Sequence, residues 1–294
     1  MSTVVVNGLF VGIVYGLLGV GLVVVYRGSR VINFAYGETG MIGAFVFAEL
    51  RGGLLANRQL GSADHGLLVP LLAAVAVGAA VGAGTELAVV RPLRNASRLQ
   101  VMVGTLAVDS LLLVIAVQRW GSGVQFTNPL IGGKGVRIAG LSIEPQQLLI
   151  AGCAAVTLLG LWALYRFTSF GLRLRASAVD PFAAGLVGVN INLTSMATWA
   201  LAGALATVSA ILIAPLGAFT TSFMISYMVR GLAAALVGGL TSIWGAFAAG
   251  ILLGVGEGVV TFKSPITGVT DLAIAALILI LMVVRPSGLV RTAY

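Results

Sequence analysis

Of 294 residues, 59% are hydrophobic and 9% charged, with a mean hydropathy of +1.08. A soluble domain carries about 25% charged residues, so this composition excludes a water-soluble domain and predicts an all-α polytopic membrane protein. The net charge of +8 is read as cytoplasmic loops holding Lys and Arg, not as a nucleic-acid surface. One Cys and one His exclude a disulfide framework and the usual metal or redox centres, and no cofactor is expected.

A spanning helix needs roughly 20 mostly apolar residues. In chain order the candidates are 4–25, 34–50, 67–90, 101–118, 147–165, 194–214, 224–240, 243–262 and 269–284. The second, seventh and eighth are short or interrupted by glycine. The expectation is about eight to ten transmembrane helices, several broken at Gly. MSTVVVNGLF lacks a basic region before its apolar run and a clear cleavage site, so it reads as a retained first span. Arg91, Arg94 and Arg98 form one basic cluster, Arg166, Arg173 and Arg175 a second, and Arg285 and Arg291 a third. Placing all three inside puts the N-terminus outside and the C-terminus in the cytoplasm, with Arg27 and Arg30 inside. Residues 119–146 then fall outside despite Arg119, Lys134 and Arg137. Trp120 and Tyr165, near span ends, read as interfacial anchors, and His65 lies in a polar outer loop.

The chain carries a faint internal repeat. GETGMIGAF (37–45) aligns with GLTSIWGAF (239–247) at an offset of 202, and LAVVRP (87–92) with LMVVRP (281–286) at an offset of 194. Both copies share one direction across the membrane, which implies two parallel repeats. The halves are then roughly 1–165 and 194–294 of a single transmembrane domain, joined by the segment 166–193. Matched glycine interruptions in two halves point to a transport pathway. The candidate pathway or gate residues are Asn33, Glu38, Thr39, Gly40 and Asp109 in one half and Gly239, Thr241 and Ser242 in the other.

Intramembrane acids are costly and mark function by default, but each has a structural reading as well. Glu38 caps amides or pairs with Arg27 or Arg30, unless it gates. Glu86, five residues before Arg91, ties a helix end to its loop. Asp109, in mid-span, is a buried polar tie or a gate. Glu257, among Gly254, Gly256 and Gly258, fits close helix packing with a buried hydrogen bond, or a gate. Asn33 and Asn190 also read as turn or cap residues.

Between two spans lies GLRLRASAVDPFAAGLVGVNIN (171–192). Asp180 followed by Pro181 is a helix start, with Asp as cap and Pro in the first turn. Phe182, Leu186 and Val189 then fall at helical spacing among Ala183, Ala184, Gly185 and Gly188. This is either a linker helix lying on lipid headgroups or a knob that docks a cytoplasmic partner. Arg173 and Arg175 would anchor it to lipid or pair with acids on that partner.

INFAYGE, MIGA, ELAVVRPLR, RASAVDPFAAGLVGVN, ALVGGLTSIWGAFAAGILLGVGEG and RPSGL, in this order, resemble the permease subunits of branched-chain amino acid ABC importers, from about residue 8 to residue 289. The resemblance implies two cytoplasmic ATP-binding subunits, a second, related permease and an extracytoplasmic substrate-binding protein. It also implies that Arg175 through Gly188 is the coupling helix that fits the ATPase. The chain departs from the family pattern at Tyr36, where His is usual, in the segment around Phe182 and Gly185, and around 216–228. Those departures leave branched-chain or other small apolar amino acids beside urea, short amides or another small solute of the same group. No GxxxxGK[ST] phosphate loop is present, so ATP hydrolysis is expected on other chains and not on this one. A proton-coupled secondary transporter using Asp109 or Glu257 is the competing reading.

Overall fold

Inside hydrocarbon, every backbone N–H and C=O has to be paired within the protein, which leaves helices as the economical solution for runs like these. The structure, a computed structural model, describes residues 1–52, 66–125, 127, 129–132, 135–138, 141–264 and 268–284. His65, Lys134, Arg285 and Arg291 lie outside the described residues, and the second VVRP copy is described only as far as Val284.

The helices are α1 (Ser2–Ser29), α2 (Tyr36–Leu50), α3 (Leu68–Thr85), α4 (Arg98–Trp120), α5 (Pro145–Phe167), α6 (Ser169–Val179), α7 (Pro181–Leu186), α8 (Ile191–Ile213), α9 (Phe223–Gly238), α10 (Ile243–Lys263) and α11 (Val269–Val284). A short antiparallel hairpin, β1 (Val136–Ile138) with β2 (Leu141–Ile143), precedes α5. All nine apolar segments expected from the sequence are helical. Six are long and apolar enough to cross a membrane: Thr3–Ser29, Leu68–Val90, Arg98–Trp120, Pro145–Phe167, Ile191–Leu216 and Ile243–Lys263. The other three, α2, α9 and α11, have 15 or 16 residues. Leu106, Leu111, Val114 and Ile115 of α4 and Val156 and Leu159 of α5 are exposed, a surface stable against hydrocarbon and not against water.

Residue contacts divide the chain into two units. One comprises Met1–Val23, Ile131–Leu158 and Ser226–Tyr294; the other comprises Val24–Leu130 and Leu159–Ile225. In the first unit, α1 and α10 meet through glycines. A Cβ on Gly8 would lie 2.7 Å from the Gly254 carbonyl oxygen, and one on Gly12 would lie 2.8 Å from that of Ile251. In the second unit, α8 packs on α2 and α3. Tyr36, Met41, Phe45, Trp199, Ile213 and Phe219 are among its large, fully buried side chains. Small residues set the helix spacing: Gly78 of α3 lies on Gly203 and Thr207 of α8, and Gly82 lies on the Trp199 carbonyl. Without side chains between them, the backbones approach as membrane helices require.

The expected glycine breaks are corrected by these contacts. Residues 37–45 lie wholly inside α2, which is continuous, and α10 is continuous from Ile243 onward. Gly40 and Gly43 are small because α8 is close: a Cβ at Gly40 would lie 2.7 Å from the Ala206 carbonyl oxygen, and one at Gly43 would overlap Thr207. Of the glycines in 37–45 and 239–247, Gly239, with φ of +96°, serves a turn, between α9 and α10. α3 ends in a π-turn over Glu86–Val90, where the Arg91 amide donates to the Glu86 carbonyl at 2.7 Å.

Candidate functional site

The segment after α5 folds as two short helices set off by two side-chain caps. The Thr168 hydroxyl accepts from the Gly171 amide at 3.0 Å and starts α6. Asp180 ends α6 and starts α7, its Oδ1 accepting from the Phe182 amide at 2.9 Å and the Ala183 amide at 3.0 Å, with Pro181 in the first turn. Arg173 and Arg175 are exposed on α6, not on the helix bearing Phe182. Arg173 bonds back to Ser169, through Nε to its carbonyl at 3.2 Å and Nη2 to its hydroxyl at 3.3 Å. α7 stops at Leu186, so Val189 lies beyond it, and Gly188 takes φ of +86°.

α7 buries one small residue and leaves its large ones exposed. Ala184 is buried, whereas Phe182, Leu186 and Val187 are 77%, 75% and 80% exposed. Phe182 and Leu186, four residues apart, share a helix face. The chain is held on both flanks of this knob. Arg30 donates from Nη2 to the Ala178 carbonyl at 2.9 Å, and Arg94 donates from Nη1 to Asn192 Oδ1.

Arg94 also reaches Glu86. The Glu86 side chain has no exposed surface, and its oxygens lie 3.3 Å from Arg91 Nη2 and 3.5 Å from Arg94 Nη2. Nearby in the same unit, Arg27 stacks over the buried Tyr165 ring, 5.5 Å from its centroid.

The other sequence candidates are placed as follows. Asn33 is buried, and its Oδ1 accepts from the Ala35 amide at 3.0 Å just before α2. Thr39 donates to the Ala35 carbonyl at 2.7 Å. Glu38 is 1% exposed, and its Oε2 has no hydrogen-bond partner among the described residues. It makes no cap for α2, whose first turn has no side-chain cap bond. Asp109, half-buried on α4, lies within electrostatic range of Glu38. In the first unit, Gly239 is buried in its turn and Thr241 half-buried, while Ser242 caps α10 by accepting from the Gly245 amide at 3.0 Å.

Glu257 is the hub of a polar network that sequence reasoning found only in part. Tyr15 of α1 donates to its Oε2 at 2.8 Å. Arg230 of α9 reaches it through Nη2 at 2.6 Å and through Nε at 3.0 Å to both oxygens, and also bonds Asp271 of α11 at 2.8 Å. Glu257 lies on the wall of an apolar cavity of about 380 Å³, lined by Val237, Leu252, Leu253, Val260 and Ile274. Arg230, Tyr15 and Asp271 were missed because they lie on other helices, with no local spacing linking them to Glu257.

At the opposite end of the second unit from α7, Glu49 accepts from Arg119 Nη2 at 2.6 Å and from the Trp120 indole at 3.1 Å. Phe45 stacks on Phe219 with centroids 4.2 Å apart. Trp120, at the end of α4, also packs its ring on Phe45, with centroids 5.0 Å apart. Among the described residues, no group of three or more His, Cys, Asp or Glu is placed to hold a metal ion.

Helices with an apolar outer surface, glycine-packed backbones and buried charges tied across helices define a multi-pass membrane protein, and comparison with known proteins places it among transport proteins. The chain belongs to the family of branched-chain amino acid transport system permease components, whose family model matches residues 4–283. It is a transport subunit and not an enzyme. The high-affinity branched-chain amino acid transport system permease protein BraD of Pseudomonas aeruginosa is 30% identical over 291 residues, covering 97% of this chain and 94% of that protein. The permease protein LivH of Escherichia coli (strain K12) is 28% identical, covering 96% of this chain and 93% of its own length. A probable LivH of Methanocaldococcus jannaschii is 31% identical over 255 residues, covering 84% of this chain and 76% of that protein. No solved structure matches the chain significantly.

Proposed function

We propose that this chain is one permease subunit of an ATP-driven importer for branched-chain or other small apolar amino acids, and that α7 is where it receives its driving force. The observation that carries this reading is the pair Phe182 and Leu186, large apolar side chains left 77% and 75% exposed on a short, capped helix between two spans. A helix that presents two large apolar side chains on one face fits a hydrophobic groove on a partner. Arg27, Arg30, Arg91, Arg94, Arg98, Arg166, Arg173 and Arg175 belong to the helix ends and loops around it, which supports a cytoplasmic position for α7. The N-terminus is then outside and the C-terminus inside. Two cytoplasmic ATP-binding subunits dock there, a second, related permease completes the membrane core, and an external binding protein delivers substrate. Arg173 and Arg175, on the exposed face of α6, contact lipid headgroups or acids of the docked subunit.

Selection of an amino acid by its ammonium and carboxylate falls to the binding protein, so the permease needs only a weakly binding conduit. Glu38, Thr39, Asn33, Asp109, Thr241, Ser242 and the adjoining Gly40 and Gly239 remain the candidate pathway or gate residues. The test is co-purification from the native membrane with identification of bound subunits by mass spectrometry. The wild-type chain should bring down nucleotide-binding subunits and a related permease. Phe182→Ser with Leu186→Ser should keep the permease and lose the nucleotide-binding subunits. Retention of those subunits by the double variant would remove α7 as the docking element.

A further inference from the structure

We propose that Glu86 is a positioning residue for energy coupling: by holding Arg94 against Asn192, it fastens the end of α3 to the chain segment that carries α7. This rests on the reading of α7 as the docking helix. Asn192 is the second residue of α8 and follows α7 closely. Its Oδ1 accepts from Arg94 Nη1, and the other terminal nitrogen of Arg94 lies 3.5 Å from Glu86 Oε1. Arg91 engages the second oxygen at 3.3 Å, so both carboxylate oxygens face a guanidinium.

The placement is unusual in two ways. The Glu86 side chain is fully buried, although Arg91 and Arg94 keep 34% and 40% of their side-chain surface exposed. A buried carboxylate paired with half-exposed arginines is an inefficient source of stability, because its desolvation offsets the attraction. It is also the first residue of the π-turn Glu86–Val90, and such turns are rare and concentrate at functional positions.

Mechanically, the tether closes a loop. A push on α7 moves the start of α8. α8 lies against α3 with backbone on backbone at Gly78, Gly82 and Gly203, so no flexible side chain absorbs the displacement there. The Glu86–Arg94–Asn192 chain makes the ends of the same two helices move together. Cutting it lets the α8 end shift while α3 stays behind, and the stroke is spent without reaching the bundle.

The test uses the full importer in proteoliposomes with radiolabelled leucine outside the membrane, measuring leucine accumulated per ATP hydrolysed. Glu86→Gln and Asn192→Ala should each lower that ratio roughly tenfold or more, the scale of losing a hydrogen bond to a charged group, with hydrolysis retained. Asn192→Asp, which restores a stronger acceptor for Arg94, should keep the wild-type ratio. Asn192 is exposed, so its variants report even where Glu86→Gln fails to assemble. An unchanged ratio in Asn192→Ala overturns the proposal, and so does a proportional fall of transport and hydrolysis. The docking reading is judged separately, by whether Phe182→Ser with Leu186→Ser still retains the nucleotide-binding subunits.

Discussion

Arg230 meets Glu257 side-on, with Nη2 2.6 Å from Oε1 and Nε 3.0 Å from both carboxylate oxygens. The two side chains keep only 12% and 18% of their surface exposed, so the pair joins α9 to α10 away from bulk water. With Tyr15 and Asp271 added, one carboxylate and one guanidinium connect four helices of the first unit.

Removing one partner of a buried pair leaves the other charge uncompensated, at a cost of about 3–5 kcal/mol. Arg230→Ala and Glu257→Ala should therefore each sharply lower the thermal unfolding temperature in detergent. Arg230→Met combined with Glu257→Leu should be less damaging than either single change. Equal or additive losses would mean that the pair is not the unit of stabilisation.

Gly203 and Gly84 give opposite expectations. A Cβ at Gly203 would overlap the Gly78 carbonyl, whereas Gly84, on α3, has nothing within 4 Å of where its Cβ would stand. Gly203→Val should abolish accumulation of folded protein in the membrane. Gly84→Ala should be neutral or stabilising by about 0.5–1 kcal/mol, the helix penalty of glycine. Expression level and thermal unfolding read both.

Asp180→Ala removes the acceptor for two amides of α7, a loss of about 0.5–2 kcal/mol from a helix of six residues. The helix should fray and leucine uptake should fall, while Asp180→Ser, which still caps, should retain most activity. Uptake in the assembled importer compares the two.

A pathway test at Gly40 cannot separate transport from folding. Gly40→Trp would collide with α8 at Ala206, and loss of uptake would follow from lost packing alone. Glu38→Gln is the cleaner change, because it keeps the shape of a buried side chain whose Oε2 has no hydrogen-bond partner. If Glu38 is a gate, uptake should fall with unchanged thermal stability. A parallel fall of both assigns it to structure.

The nine apolar segments were legible because a helix in hydrocarbon needs a long uninterrupted apolar run, some twenty residues for a full crossing. The start of α7 was legible because the Asp180–Pro181 cap acts within three residues. Glu86 and Arg91 were legible for the same local reason. The pairing of Tyr15 with Glu257 was not, since they lie 242 positions apart and meet only through tertiary packing. The glycines of α2 were misread because composition does not distinguish a glycine that turns a chain from one that lets a neighbour in. Gly40 does the second, and only the position of Ala206 shows it.

The most direct measurement is leucine accumulation in sealed vesicles, made with the purified chain alone under a proton gradient and with the complete set of subunits supplied with ATP. The chain alone should show no uphill accumulation, and the assembly should show ATP-dependent accumulation that disappears when Phe182 and Leu186 are both changed to Ser. Concentration of leucine by the isolated chain, or undiminished ATP-driven uptake by that double variant, would contradict that expectation.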